Sequence, residues 1–438
     1  MKRLLLLLLL FTSTLGADSL DLKQCQMIAI DSNPLSRAAT YGIKAAYEGV
    51  GVARAPYYPN LKLDAHYTRW QIHNFLKFNV PPALAGLISP YEINPEYIGP
   101  TNDYGITLSS RYTIYDCGER NARLMSALAE QGQACEEAER IRQQILLNVS
   151  LAYYNLISHH ELQQVAESNL ERTEKHRKIA EERKEVGAVP LADVYRAQVN
   201  AAEAKQELVH ANNLVRISQG NLSTSMGLPP DTELSILAES PDYFSPETIS
   251  LKKAQKNATK IRPEIRALEK QLCALRYKIK EAGSQFGPRM EAEGVYGKRD
   301  SDFFPGDDEW VVGVSVSMPI FTGYGLDHSL RRVKAEYCRI QAHYDSLTLN
   351  VQQEVWKAYS TLNEAYEMIL TSVAQVEDAS ESNRLAEERY QAGAGTITDL
   401  LDAQTALARA EATHVEALWS FRAALTVFQW TQGLLEPE

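Results

Sequence analysis

Apolar residues recur at steps of three and four over two long stretches of this 438-residue chain. Ile141, Ile145, Val149, Ala152 and Leu156 form one row, and Val351, Val355, Ala358, Leu362, Ala365 and Ile369 form the other. This 4-3-4-3 rhythm is the seam of helices lying side by side with coiled-coil geometry. Proline, which costs about 3 kcal/mol or more inside a helix, is absent from residues 101–189 and 320–436. The pattern predicts a helix over about 118–186, roughly 100 Å long if continuous at 1.5 Å per residue. It turns at Gly187 and returns over about 190–227, with Pro190 in the first turn. A second hairpin turns at Gly393 and returns over about 396–433, and Gly227 and Gly433 fit the two C-terminal ends. Shorter helices are expected over roughly 20–56 and 247–283.

Four segments alternate with period two instead. Leu61, Leu63, Ala65 and Tyr67 are separated by Lys62, Asp64 and His66, while Tyr104, Ile106, Leu108, Tyr112 and Ile114 alternate with Gly105, Thr107, Ser109, Arg111 and Thr113. Met290, Ala292 and Tyr296 share a face opposite Glu291 and Glu293, and Trp310, Val312, Val314, Val316, Met318 and Ile320 alternate with small or polar residues. Strands are therefore expected at about 60–72, 103–115, 288–298 and 309–321. Ten-residue segments with one apolar face and aromatics near the ends suit a transmembrane β-strand. A small soluble sandwich with one wet face would show the same alternation.

These elements occur twice. A shift of 206 residues lays Ala152, Tyr153 and Leu156 on Ala358, Tyr359 and Leu362, Ala180-Glu181-Glu182-Arg183 on Ala386-Glu387-Glu388-Arg389, Gly187 on Gly393, Asp193 on Asp399, and Gly227-Leu228 on Gly433-Leu434. Nearer the start of each copy the shift is 229, pairing Pro34 with Pro263, Pro59 with Pro288 and Tyr67 with Tyr296. The first copy thus carries 23 extra residues, placed in the proline-rich connection from about Gln71 to Asn102. The organisation read from this is a leader over 1–17, repeat 1 over 18–230, an inter-repeat linker over 231–260, and repeat 2 over 261–438.

The leader is read from Lys2-Arg3, the apolar run Leu4 to Phe11 and small residues ending near Gly16 or Ala17, the layout of a secretory signal. Asp18 stands where a lipidated cysteine would have to be. No later stretch holds 18 uninterrupted apolar residues, so a membrane-crossing mature chain would have to cross as β-strands. A net charge of −11 with scattered basic residues argues against nucleic acid as a partner. Cys25, Cys117, Cys135, Cys273 and Cys338 show no CxxC or zinc spacing and read as packing residues, with a Cys135–Cys338 bridge left open. His159-His160-Glu161 lacks the second histidine of HExxH, and no GxSxG, P-loop or post-strand GxGxxG is present. Neither an enzyme nor a cofactor or metal is implied, and energy for transport would come from a partner.

Four strands cannot close a barrel, and open edges cannot face lipid, where each unpaired backbone group costs several kcal/mol. The barrel must be shared: two chains give a filled interior, three give twelve strands and room for a conduit. The alternative is a non-porous periplasmic coiled-coil adaptor or scaffold with a small soluble strand domain.

Asn33-Pro34-Leu35 and Arg262-Pro263-Glu264-Ile265 open the copies, Pro59-Asn60-Leu61 precedes the first strand, Met318-Pro319-Ile320-Phe321-Thr322-Gly323 follows the fourth, and Ala152-Tyr153, Ala358-Tyr359 and the two tips complete the set. In order and doubled spacing these motifs resemble the TolC-type outer-membrane efflux proteins over essentially the whole mature length. The resemblance implies a mainly α fold with transmembrane β: a homotrimer whose 12-stranded β-barrel, four strands per chain, continues into a long periplasmic α-helical barrel. It implies location in the outer membrane of a Gram-negative-type cell, surrounded by outer membrane lipid. It also implies a periplasmic adaptor (membrane fusion) protein and an inner-membrane pump of RND, MFS or ABC type as partners, in efflux or type I secretion.

Carried over residue by residue, the resemblance makes Gly187, Ala188, Val189, Gly393, Ala394 and Gly395 the adaptor-docking tips. Asp399 and Asp402 match a pair of aspartates at the pore constriction; a charge at a helix N-terminus is the simpler reading of the same residues. Tyr390 and Asp193 match a hydrogen-bonded gate latch. The arginine of a companion lock is replaced by Gly395, with Ala192 opposite, which implies a weakly latched entrance.

Overall fold

The computed structural model describes residues 19–70, 101–237, 243–246 and 249–436. The leader and most of the long connection between the first two strands lie outside the described residues. The element order is α1 (Leu22–Ser32), α2 (Pro34–Arg54), β1 (Asn60–Trp70), β2 (Thr101–Tyr115), α3 (Glu119–Glu185), α4 (Leu191–Ser225), α5 (Leu251–Ile261), α6 (Pro263–Ser284), β3 (Arg289–Asp300), β4 (Asp307–Ser317), α7 (Gly325–Gln391) and α8 (Ile397–Thr431). Helices α3 and α7 are each 67 residues long without a break.

Four expectations are corrected. The helix expected over 20–56 is two helices, because Asn33 is extended (ψ 127°) immediately before Pro34; the residue before a proline is pushed out of the helical region. Arg262 (ψ 129°) breaks the helix expected over 247–283 in the same way before Pro263, and the resulting α5 starts inside the stretch taken as linker. Strand β4 ends at Ser317 instead of continuing to 321, just ahead of Pro319, which has no N–H to give a ladder. Pro190 is the N-cap of α4, one position before its first turn.

The chain forms two compact units. One comprises Ala46–Gln131 and Gln271–Ile340, the other the residues up to Ala45, Gly132–Lys270 and Gln341–Glu438. The first unit holds one antiparallel sheet of order β1-β2-β3-β4. Its register aligns Leu63, Leu108, Tyr296 and Trp310 across all four strands. Leu61, Ile106, Val312, Val314 and Val316 fall on that same face, and all nine side chains are exposed, up to 78% for Val312. The opposite face is charged and paired: Arg111 to Glu293 at 3.1 Å, Arg289 to Glu119 at 2.8 Å, and Arg299 on Asp103 through two hydrogen bonds of 2.7 and 2.8 Å.

The second unit is held by helix packing. One core joins Ile145, Val149, Tyr153, Leu156 and Ile157 of α3 to Cys25, Leu222 and Trp419. Another joins Val351, Val355, Leu362 and Ile369 of α7 to Ile265, Phe421 and Phe428. The two apolar rows read from the sequence are thus the seams of α3 and α7. The helix breaks are tied down differently. Asn33 donates its side-chain amide to Ser225 O and accepts from Leu35 N. Buried Arg262 pairs with Glu264 and Glu354 and lies 5.1 Å over the Trp430 ring. All five cysteines are free, including Cys135 and Cys338. Burial pushes the Cys25 thiol up to about 12, which makes it a packing residue.

Candidate functional site

Both hairpin tips use one backbone design. Gly187 and Gly393 each adopt φ +74°, the left-handed conformation that glycine accepts without penalty. At the first tip Gly187 N donates to Lys184 O (2.9 Å) and Ala188 N to Arg183 O (2.8 Å); at the second Gly393 N donates to Tyr390 O (3.1 Å) and Ala394 N to Arg389 O (2.9 Å). Gly187, Ala188, Gly393 and Ala394 are exposed, with Val189 and Gly395 half-buried beside them.

The tips then diverge. At the second, Tyr390, Ile397, Leu400 and Leu401 form a small buried cluster against Ile179 of α3. Thr396 caps α8: its hydroxyl accepts from Asp399 N (3.1 Å) while the Asp399 carboxylate accepts from Thr396 N (3.2 Å). Pro190 offers no such cap to α4. The Thr396 hydroxyl, its N–H and, less strongly, Arg389 hold the Asp399 carboxyl below the usual carboxylate range. Asp399 therefore takes the helix-terminal role that its sequence position allowed. Asp402, one turn on, is exposed in a groove of about 480 Å³ between α4 and α8, facing Tyr195, Arg196, Val199 and Glu203.

The expected hydrogen bond between Tyr390 and Asp193 is not made. The Tyr390 hydroxyl is buried without a hydrogen-bond partner among the described residues, and Asp193 approaches Arg196 at 4.0 Å. Burial pushes the phenol up; nearby Arg183 opposes and Asp193 adds to the rise. Arg196 donates to the Thr398 hydroxyl (3.0 Å) across the tips, and the join between the ends of α3 and α7 is Arg183. From the last turn of α3 its guanidinium donates to Tyr390 O and Gln391 O, each at 2.8 Å, and lies 4.8 Å from the Tyr390 ring centroid. It thus satisfies carbonyls that a helix C-terminus leaves open and places a cation at the negative end of α7. Sequence reasoning used Arg183 only as a register mark. Its recurrence as Arg389 was the signal that could have singled it out.

Farther from the tips, Arg172 forms a bidentate pair with Glu411 of α8 (3.2 and 2.7 Å), and Trp419 Nε1 donates to Glu161 of α3 at 2.8 Å. That bond gives Glu161 a packing role in place of a metal one. No cluster of three or more His, Cys, Asp or Glu residues able to hold a metal occurs among the described residues.

The family pattern described as Outer membrane efflux protein matches residues 28–228 and 255–426, one stretch in each repeat. Protein CyaE of Bordetella pertussis is 26% identical over 405 residues, covering 91% of this chain and 81% of that protein. Outer membrane protein TolC of Escherichia coli is 24% identical over 409 residues, covering 89% and 77%. Among solved structures, the outer membrane protein VceC of Vibrio cholerae superposes with a TM-score of 0.78 at 20% identity, covering 94% of this chain and 96% of that one.

Proposed function

The chain belongs to the outer membrane efflux protein family, and on that footing we propose that three copies form a passive conduit from periplasm to exterior. The observation that carries this is the sheet. Among the described residues, four strands in the order β1-β2-β3-β4 leave β1 and β4 unpaired on their outer edges, and one face is apolar and exposed. Neither feature is tolerable in water, and an open edge is not tolerable in lipid. Edge-to-edge closure of three sheets removes both defects: twelve strands, apolar outside toward outer membrane lipid, with the Arg111–Glu293 and Arg299–Asp103 face lining a wet lumen.

The helical hairpins extend the conduit into the periplasm, and their tips close it. Arg183 latches α3 to the end of α7 in place of the Tyr390–Asp193 bond. Three copies of Asp399 and Asp402 would bring six carboxylates to the entrance, where like charges about 4 Å apart repel by roughly 1 to 4 kcal/mol. A cation relieves that repulsion, so the entrance prefers cations. Asp402, with no cap to serve, contributes more to it than Asp399. Exposed Gly187, Ala188, Gly393 and Ala394, with Val189 and Gly395, present the docking surface for a periplasmic adaptor that couples the conduit to an inner-membrane RND, MFS or ABC pump.

Purified full-length protein in planar bilayers tests this. A trimer by native mass should conduct, and hexamminecobalt(III) added on the periplasmic side should block it, with Asp402→Ala weakening the block more than Asp399→Ala. A water-soluble monomer with no conductance would support the coiled-coil scaffold instead.

A further inference from the structure

One face of α5 departs from the charge balance of the chain. The protein carries 56 acidic and 45 basic side chains, yet residues 251–263 hold five cations and no acid. Arg262 is buried and paired with Glu264 and Glu354. The other four, Lys252, Lys253, Lys256 and Lys260, are exposed, and their side chains make no hydrogen bond or ion pair among the described residues. The helix cannot roll them away from solvent. Ala254 and Ala258 are buried in the core shared with α7 and α8, and Gln255 Nε2 donates to Gln352 O of α7 at 3.1 Å. Lys252, Lys256 and Lys260 then form an outward row at i, i+4 and i+8, about 6 Å apart along the axis. Like charges at this spacing destabilise a helix, so the row weakens α5 until an anion reaches it.

The first repeat is an internal control. At the 229-residue shift α1 lies on α5 over its whole length, and Lys23, Gln24, Met27 and Asp31 stand where α5 has Lys252, Lys253, Lys256 and Lys260. Buried Cys25 and Ala29 correspond to buried Ala254 and Ala258. The same packing is thus met in α1 with no net charge, and the four lysines answer to something outside the fold.

We propose that this face of α5 binds an extended polymer of closely spaced carboxylates, which in the periplasm is the peptide-bearing glycan of the cell wall. Lysine is a flexible point charge, and the face has none of the aromatic or arginine anchors that centre a protein–protein contact. It has no apolar side to sink into lipid either, because Ala254 and Ala258 are already packed. A conduit whose 67-residue helices run roughly 100 Å into the periplasm has to pass through the wall. Three copies bring three such faces to it, and weak contacts held on one body add. This rests on the periplasmic placement of the helical hairpins proposed above.

Co-sedimentation with purified, protein-free cell-wall sacculi tests it on full-length protein in nanodiscs of neutral lipid. Native protein should pellet with sacculi at low salt and be released at high salt. Lys252→Gln, Lys253→Gln, Lys256→Gln and Lys260→Gln together should weaken binding about tenfold, as the loss of several exposed ion pairs does, with native mass and bilayer conductance unchanged. Replacing all four by arginine should preserve it. Lys178→Gln, Lys205→Gln, Lys334→Gln and Lys357→Gln change the net charge equally and should leave binding intact, while sacculi with amidated carboxylates should not hold the native protein. If a conducting glutamine variant pellets as the native protein does, or amidated sacculi still bind, the wall contact is wrong and the conduit stands. Lysine-dependent capture by phosphatidylglycerol vesicles, with none by sacculi, would give the face to a lipid surface and overturn the proposal too. If native protein neither forms a trimer nor conducts, the reading beneath it falls first.

Discussion

The two hairpin tips have the same backbone and opposite dependence on what surrounds them. Gly187 and Gly393 share φ +74° and the same pair of turn hydrogen bonds. The second tip is nevertheless sealed within its own chain: Thr396 and Asp399 cap α8, Leu400 and Leu401 pack under Tyr390, and Arg183 covers the last carbonyls of α7. The first tip has Pro190 without a side-chain cap, Val194 where the second has Leu400, and carbonyls at the end of α3 that no side chain reaches among the described residues. A duplicated backbone has therefore diverged into one self-sufficient end and one that needs a partner. The turn geometry belongs to the repeat, while the stability of each tip belongs to its side chains.

The sharpest way to break this contrast is to remove the packing. Leu400 is fully buried, so Leu400→Ala should cost the second tip about 2–4 kcal/mol. Val194→Ala, its equivalent, should cost the first about 1–2 kcal/mol. Amide hydrogen exchange in the first turns of α8 and α4 reads the two losses separately, and equal losses would contradict the contrast. Next in size is Arg183→Ala, which removes two charge-assisted hydrogen bonds from a half-buried site, about 1.5–2 kcal/mol. It should loosen the end of α7 and raise resting conductance in bilayers. Arg183→Lys should recover only part of the effect, since an ammonium lacks the guanidinium's fork.

What the sequence made legible follows from what repeats along it. Helical seams, strand faces and the 206-residue shift are periodic signals, and Ile145, Val149, Val351 and Val355 fall in the cores their spacing indicated. The breaks at Asn33 and Arg262 were readable too, since Pro34 and Pro263 restrict the residues before them; the helical periodicity on either side hid them. The Arg183 clamp was not readable. It joins residues more than 200 positions apart, and its targets are backbone carbonyls, which carry no residue identity. Nor could spacing show that the Tyr390 hydroxyl is buried without a hydrogen-bond partner among the described residues, with Asp193 nearest Arg196 at 4.0 Å.

A smaller effect separates the helix starts. Thr396→Ala should cost about 1 kcal/mol through loss of the cap, whereas Pro190→Ala removes no cap and should change little. The acid dependence of the second tip follows from the same bonds. With its carboxyl held below the ordinary range, Asp399 contributes stability that is present above the ordinary carboxylate pKa and is lost as pH falls through the folded-state value. Amide protection at the start of α8, taken relative to the intrinsic exchange rate at each pH, should therefore fall in acid, and Asp399→Asn should flatten that fall.

The smallest expected difference lies about two helical turns from the clamp. His176 of α3 is buried, 4% exposed, and its Nδ1 has no hydrogen-bond partner among the described residues; the equivalent residue of α7 is exposed Ser382. Burial holds the imidazole below its ordinary pKa, with Glu387 opposing and Lys175 adding to the drop. In the unfolded chain the ring titrates near 6.5. Between that value and the lower folded one, the unfolded state binds the extra proton, so local stability falls as pH drops through this window and levels off below it. His176→Ser should give the end of α3 the same flat response between pH 7 and 5 that is expected of the end of α7 around Ser382, with amide protection measured in both helices. If the slope at α3 survives the substitution, protons are entering elsewhere, and half-buried His159, whose pKa burial also lowers against Glu416, is the residue to replace next.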